Sequence, residues 1–174
     1  MKIFAITISI LTIYFLQTAD AAQTCKNYVT DQWPDSRYTV ETLSGDNVVT
    51  DNQARLMWKQ CSEGLTGPSC STGSITSYTW LQALDLAYTE DFAGFADWRI
   101  PNQKELRTLV VRNCYSPSIN EIVFPNTPNS SYWSSSPVAA SNTRSWVTSF
   151  NDGSDSSNWR GIEAPVRLVR SSGQ

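Results

Sequence analysis

Four cysteines, Cys25, Cys61, Cys70 and Cys114, limit the folds open to this chain more than any other feature. Whether they are thiols or cross-links depends on the compartment, and the first residues bear on that. Lys2 supplies a minimal positive start, Ile3 to Leu16 is apolar, and Gln17 to Ala21 ends in the small residues a signal peptidase accepts. Residues 1–21 are predicted to be a signal peptide cleaved after Ala21. The apolar run is shorter than the ~20 residues that span a bilayer, and no later stretch is apolar enough to do so. Ala22-Gln23-Thr24 before Cys25 lacks the Leu-x-Gly/Ala pattern of a lipid-modified cysteine. The expected product is exported, periplasmic or secreted, with no membrane insertion after cleavage.

An even cysteine count in an exported chain reads as disulfides. Cys61 and Cys70 flank Gly64, Gly67 and Pro68, a turn-rich segment that favours local closure. Cys25 is then expected to pair with Cys114. In the chain-entropy model the short loop contributes about 2.7 kcal/mol and the long one about 4.6. Zinc is disfavoured, because there is no Cys-x2-Cys pair and no histidine to complete a site.

The remaining ~150 residues, 22–174, fit one domain with one core. Arg37 to Leu43 alternates and reads as a strand, and Asp46–Thr50 with Ala54–Lys59 reads as a hairpin turned at Asp51-Asn52. Ser71 to Ser77 is a polar loop. Thr79-x-x-Gln82 is a capping-box pattern that starts a helix at about 80–89, carrying Trp80, Leu81, Leu84, Ala87 and Tyr88 at helical spacing. A second helix is expected over about 103–112, with Leu106, Leu109 and Val110 inward. Beyond Ser116 the texture turns to short strands at Tyr132–Ser135, Ser145–Phe150 and Pro165–Arg170, with a turn at Asn151-Asp152-Gly153. Two early helices and late strands indicate an α+β domain.

The stretch "DWRIPNQKEL" (97–106) combines a carboxylate, Trp, Arg, Asn and a Lys-Glu pair. Local rules read it as a joint between strand and helix rather than a catalytic site. Trp98 points into the core, Pro101 precedes the helix, and Asn102 caps it with Glu105 returning a hydrogen bond. Asp97 and Arg99 are placed to form a local ion pair.

Five short motifs occur in one order: "VTDNQARLMW", "FAGFADWRIPNQKEL", "PSINEIVFPNTP", "YWSSSP" and "VRLVR". Together they resemble the Lcl C-terminal domain family, a domain of unknown function found at the C-terminus of a collagen-like bacterial adhesin. The resemblance implies a C-type-lectin-like fold, two helices packed on small antiparallel sheets, and attachment to host surfaces or glycosaminoglycans. Three departures bear on it. No Gly-x-y repeat stands in this chain, Arg55 occupies a position where the family usually has Gly, and the net charge of −3 opposes a polyanionic ligand.

The same charge argues against general nucleic-acid binding, which needs a basic stripe. With no histidine, hydrolysis by a His-containing triad is excluded. A formylglycine-generating type of enzyme, a distant alternative on a related fold, needs a late reactive cysteine pair, and no cysteine follows Cys114. No spacing picks out a pair of glycosidase carboxylates. "DGSDSSN" offers Asp152 and Asp155 as possible calcium ligands, without the EF-hand spacing.

Among the seven tryptophans, Trp58, Trp80, Trp98, Trp133 and Trp146 fall in helix or strand patterns and are expected in the core, each burying ~150–250 Å². Trp159 lies in the polar stretch "SDSSNWRGIE", reads as a loop residue, and with Arg160 has hot-spot composition. Arg144, Arg160, Arg167 and Arg170 form a basic patch only if their strands face one way. The expected function is an exported, non-catalytic recognition or adhesion domain. It would bind a surface glycan or protein through loops 138–144 and 151–162, using Arg144, Asn158, Trp159 and Arg160. A structural subunit of an envelope or pilus-like assembly is the alternative.

Overall fold

The computed structural model describes residues 23–173, so the predicted signal peptide lies outside the described residues. The first half of the chain forms β1 (Thr24–Cys25), β2 (Tyr38–Leu43), β3 (Asp46–Asp51), β4 (Leu56–Lys59), β5 (Leu65–Thr66), β6 (Thr72–Gly73) and β7 (Ser77–Tyr78). Helices α1 (Trp80–Thr89) and α2 (Gln103–Arg107) follow. The second half adds β8 (Cys114–Tyr115), β9 (Ser131–Pro137), β10 (Arg144–Ser149), β11 (Asp155–Trp159), β12 (Ala164–Pro165) and β13 (Val169–Ser171). Few helices, small antiparallel sheets and two cross-links agree with the α+β expectation in outline.

An antiparallel sheet in the order β13-β4-β3-β2 organises the molecule. Successive residues of a strand face opposite sides, yet Val48 and Val49 are both fully buried, so this sheet is covered on both faces. Val49 and Trp58 pack with Leu106, Phe124 and Phe150 on one side. On the other, Val48 and Met57 pack with Trp98, Trp133 and Leu168. A second sheet, β11-β10-β9, stands beside it. The disulfides are Cys25–Cys114 and Cys61–Cys70, closing separations of 89 and 9 residues. Such cross-links suit an oxidising, extracytoplasmic compartment. No helix among the described residues is long and apolar enough to cross a membrane.

Both capping boxes form. Thr79 accepts from the Gln82 amide, and Asn102 Oδ1 accepts from the Glu105 amide at 3.0 Å while Glu105 Oε2 accepts from the Asn102 amide at 2.8 Å. α1 has the expected bounds, but Leu81 and Tyr88 point to solvent, and Ala83 and Ala87 make its buried stripe. α2 ends at Arg107, five residues short of the expected boundary. Leu109, Val110 and Val111 are all buried. Three consecutive residues span ~200° of a helix, a wider arc than the single buried stripe of a surface helix, and the chain has left the helix where all three are buried.

Asp97 and Arg99 do not pair with each other: Arg99 grips Glu105 with two hydrogen bonds, and Arg170 Nε donates to Asp97 at 2.6 Å. The Arg99 grip and the Asn102 amide outweigh burial, which alone would raise Glu105, and leave its carboxyl below the ordinary range. Arg167 and Arg170 are buried and contribute to no basic patch. Arg167 donates to the carbonyls of Lys59 and Gln60 and to Thr127 Oγ1, under the Phe124 ring. The expected strand 165–170 is split into β12 and β13. Polar loop 71–77 contains β6 and the start of β7.

Candidate functional site

The stretch expected to be a loop around Trp159 is a strand. Gly153 turns the chain between β10 and β11 at φ 76°, and a Cβ there would meet Val110 Cγ1 at 2.5 Å. Only glycine fits both the backbone and the space. The register that follows pairs Arg144 with Trp159, Trp146 with Ser157 and Thr148 with Asp155. Directly opposed residues share a face, so Arg144, Trp146 and Thr148 lie on one face with Asp155, Ser157 and Trp159.

α2 closes one end of that face. Arg107 forms an ion pair with Asp155, Thr148 Oγ1 donates to Asp155 Oδ1 at 2.8 Å, and Thr148 is fully buried. The other end is open. Trp159 is 59% exposed on the edge strand, and Trp146 and Arg144 are half-buried beside it. The Arg144 guanidinium lies 6.0 Å from the Trp159 ring centroid and donates to the Ser157 carbonyl at 3.0 Å. A guanidinium held in this way gives up less rotamer freedom when it meets a ligand.

Trp146, expected in the core, thus belongs to this open face, while its neighbours Ser145 and Val147 are fully buried on the other. The alternation of Arg144–Ser149 is the signal that separates them. Asn158 opposes Ser145 and lies on the face away from Trp159. Arg160 also turns away: Nε donates to Ser145 Oγ at 2.9 Å, Nη1 donates to the Asn142 carbonyl at 2.9 Å, and the guanidinium sits 4.2 Å above the Trp80 ring. Arg160 therefore braces loop 138–143 against the start of α1. The four proposed ligand contacts divide into Trp159 with Arg144, and Asn158 with Arg160.

The two aspartates proposed for calcium each have partners within the protein. Asp152 accepts from the Ser154 hydroxyl and amide inside the turn, which hold its carboxyl below the ordinary range. Asp155 is committed to Arg107 and Thr148. Among the described residues no group of three or more Asp, Glu, Cys or His is placed to hold a metal ion.

A search of curated proteins finds no match. The family model of the Lcl C-terminal domain matches residues 47–170, from β3 into β13, and so takes in both helices and the whole Trp146–Arg144–Trp159 face. Over most of its length, therefore, this chain is a member of the Lcl C-terminal domain family.

Proposed function

We propose that this is an exported, non-catalytic recognition domain of C-type-lectin-like fold, which contacts a surface glycan or protein through the open face of β10 and β11. One observation carries the reading: a Trp 59% exposed on an edge strand, with a second Trp on its face and an arginine guanidinium 6.0 Å from its ring centroid. Indole faces stack on the apolar faces of sugar rings or on partner side chains, and the guanidinium supplies directional donors. The adhesin context of the family supports attachment as the role. Because Asp155 is occupied by Arg107 and Thr148, binding should not require calcium.

The test is an array of glycans and surface proteins probed with the exported chain, in calcium and in chelator. Binding is expected equally in both. Trp159→Ala should weaken it by about 30-fold, the scale of an interface hot spot. Calcium dependence, or turnover of any arrayed compound, would count against this function.

The assembly-subunit reading draws on a different surface. Leu81 and Tyr88, one helical face apart by seven residues, are 64% and 90% exposed on α1. It requires that a Leu81→Lys/Tyr88→Lys variant lose an envelope protein that co-purifies with the native chain.

A further inference from the structure

A cleft of about 500 Å³ opens between the β2–β3 turn, the Cys61–Cys70 loop and the segment after α1. Different elements build it from those that build the Trp159 face, and it does not depend on the function proposed for that face. At its base Lys59 is only 6% exposed. Its ammonium donates to Glu63 Oε1 at 2.9 Å and to Glu90 Oε1 at 2.5 Å, and lies 4.3 Å from the centroid of the Phe92 ring.

Burying three charges is expensive, and an apolar filling would be the more stable design. What the arrangement supplies is acceptor capacity. Two of the Lys59 N–H groups are taken by carboxylates and the cation faces an aromatic ring, so lysine offers a ligand little. Glu63, nine-tenths buried, has a second oxygen, Oε2, with no hydrogen bond among the described residues, and the same holds for Glu90 Oε2. Asp46 also lines the cleft, with Oδ2 used by the Ala93 amide and Oδ1 left over. The cleft thus holds two carboxylates on one ammonium and a third, Asp46, in its lining. Burial pushes the Glu63 carboxyl up in spite of Lys59, so a further positive charge beside it is favourable.

The walls are preformed. The disulfide closes one side, and Gly64 sits at φ 88°, where a Cβ would fall 2.3 Å from the Ser74 carbonyl. Leu65, Pro68 and Phe92 supply apolar surface above the charges. We infer that this cleft binds a small organic ammonium ion, its amine on the free oxygens of Glu63 and Glu90 and its carbon skeleton against Leu65 and Phe92. A free polyamine and an amino sugar share that chemistry.

The experiment is an NMR titration of the ¹⁵N-labelled exported chain with putrescine, glucosamine and, as neutral controls, glucose and N-acetylglucosamine. Amide signals of residues 63–66 should shift with one or both amines and with neither control. Which amine acts identifies the source. Glu90→Gln should weaken binding about tenfold, the loss of one charge-assisted hydrogen bond. Thr42→Arg, on an exposed residue at the mouth, should abolish it with unchanged melting, which covers the case where Glu90→Gln disturbs folding. No shift with either amine, equal shifts with the neutral sugars, or shifts that survive Thr42→Arg would each overturn the inference.

Discussion

Arg55 sits at φ 55°, in the left-handed region, where the β3–β4 turn closes and its carbonyl accepts from the Ser172 amide. Glycine adopts this conformation without strain, as the resemblance implied for this position, and the hairpin still forms with arginine because the turn is pinned elsewhere. Asp51, fully buried, accepts from the amides of Gln53 and Ala54 and from two nitrogens of Arg37. The left-handed conformation costs an L-residue about 1–2 kcal/mol, partly offset in glycine by its greater unfolded freedom. Arg55→Gly should therefore raise stability by roughly 0.5–1 kcal/mol, and Arg55→Val should lower it by a similar amount. Urea unfolding measures both, and equal midpoints for the three proteins would remove the argument. At this scale much was legible in the sequence: Trp58, Trp98 and Trp133 are core residues as expected. Trp146 and Arg167 were not, because which way a strand residue faces depends on partners the local sequence does not name.

The starts of the two helices were legible and the end of the second was not, for a physical reason. A capping box is made by residues three apart, so Thr79–Gln82 and Asn102–Glu105 declare themselves locally. The end of α2 comes where Leu109 and Val110 join a core built by residues of β3, β4 and β9, partners far away in the sequence. β11 was hidden differently. Asp, Ser and Asn are poor strand formers, and only the Gly153 turn and the pairing with β10 make this segment a strand. Asn102→Ala should cost about 1 kcal/mol. The Glu105 contribution has the sign of a depressed carboxylate, present above its unfolded pKa and lost as pH falls through its folded one. The cost of Glu105→Gln should accordingly shrink in acid, where Glu105 no longer carries charge. A cost that grows on acidification would contradict the reciprocal cap.

Over the whole molecule, two disulfides and a sheet covered on both faces hold together a chain with little helix. The long cross-link, Cys25–Cys114, ties the first strand to β8, and the short one shapes the wall of the Lys59 cleft. Loop entropy ranks them at about 4.6 and 2.7 kcal/mol. Replacing Cys25 and Cys114 by serine should therefore destabilise more than replacing Cys61 and Cys70, as read by thermal unfolding of the two variants. The reverse order would mean that the short loop acts through native packing instead. Both pairings followed from turn residues and a process of pairing the remainder. The Lys59–Glu63–Glu90 cluster did not, since its members come from β4, a loop and the end of α1, and the four-residue spacing of Lys59 and Glu63 signals a pair only on a helix.

One face of β10 and β11 is the recognition surface we propose, and strand alternation gives it a direct control. The measurement is the affinity of Trp159→Ala, Arg144→Ala and Asn158→Ala for whichever arrayed ligand the native chain captures. Trp159 and Arg144 share the open face while Asn158 points away from it, so the first two variants should bind about 30-fold more weakly, on the scale of interface hot spots, and Asn158→Ala should bind as the native chain does. Loss of affinity in Asn158→Ala with Trp159→Ala unchanged would place the binding surface on the other side of the sheet and contradict the account.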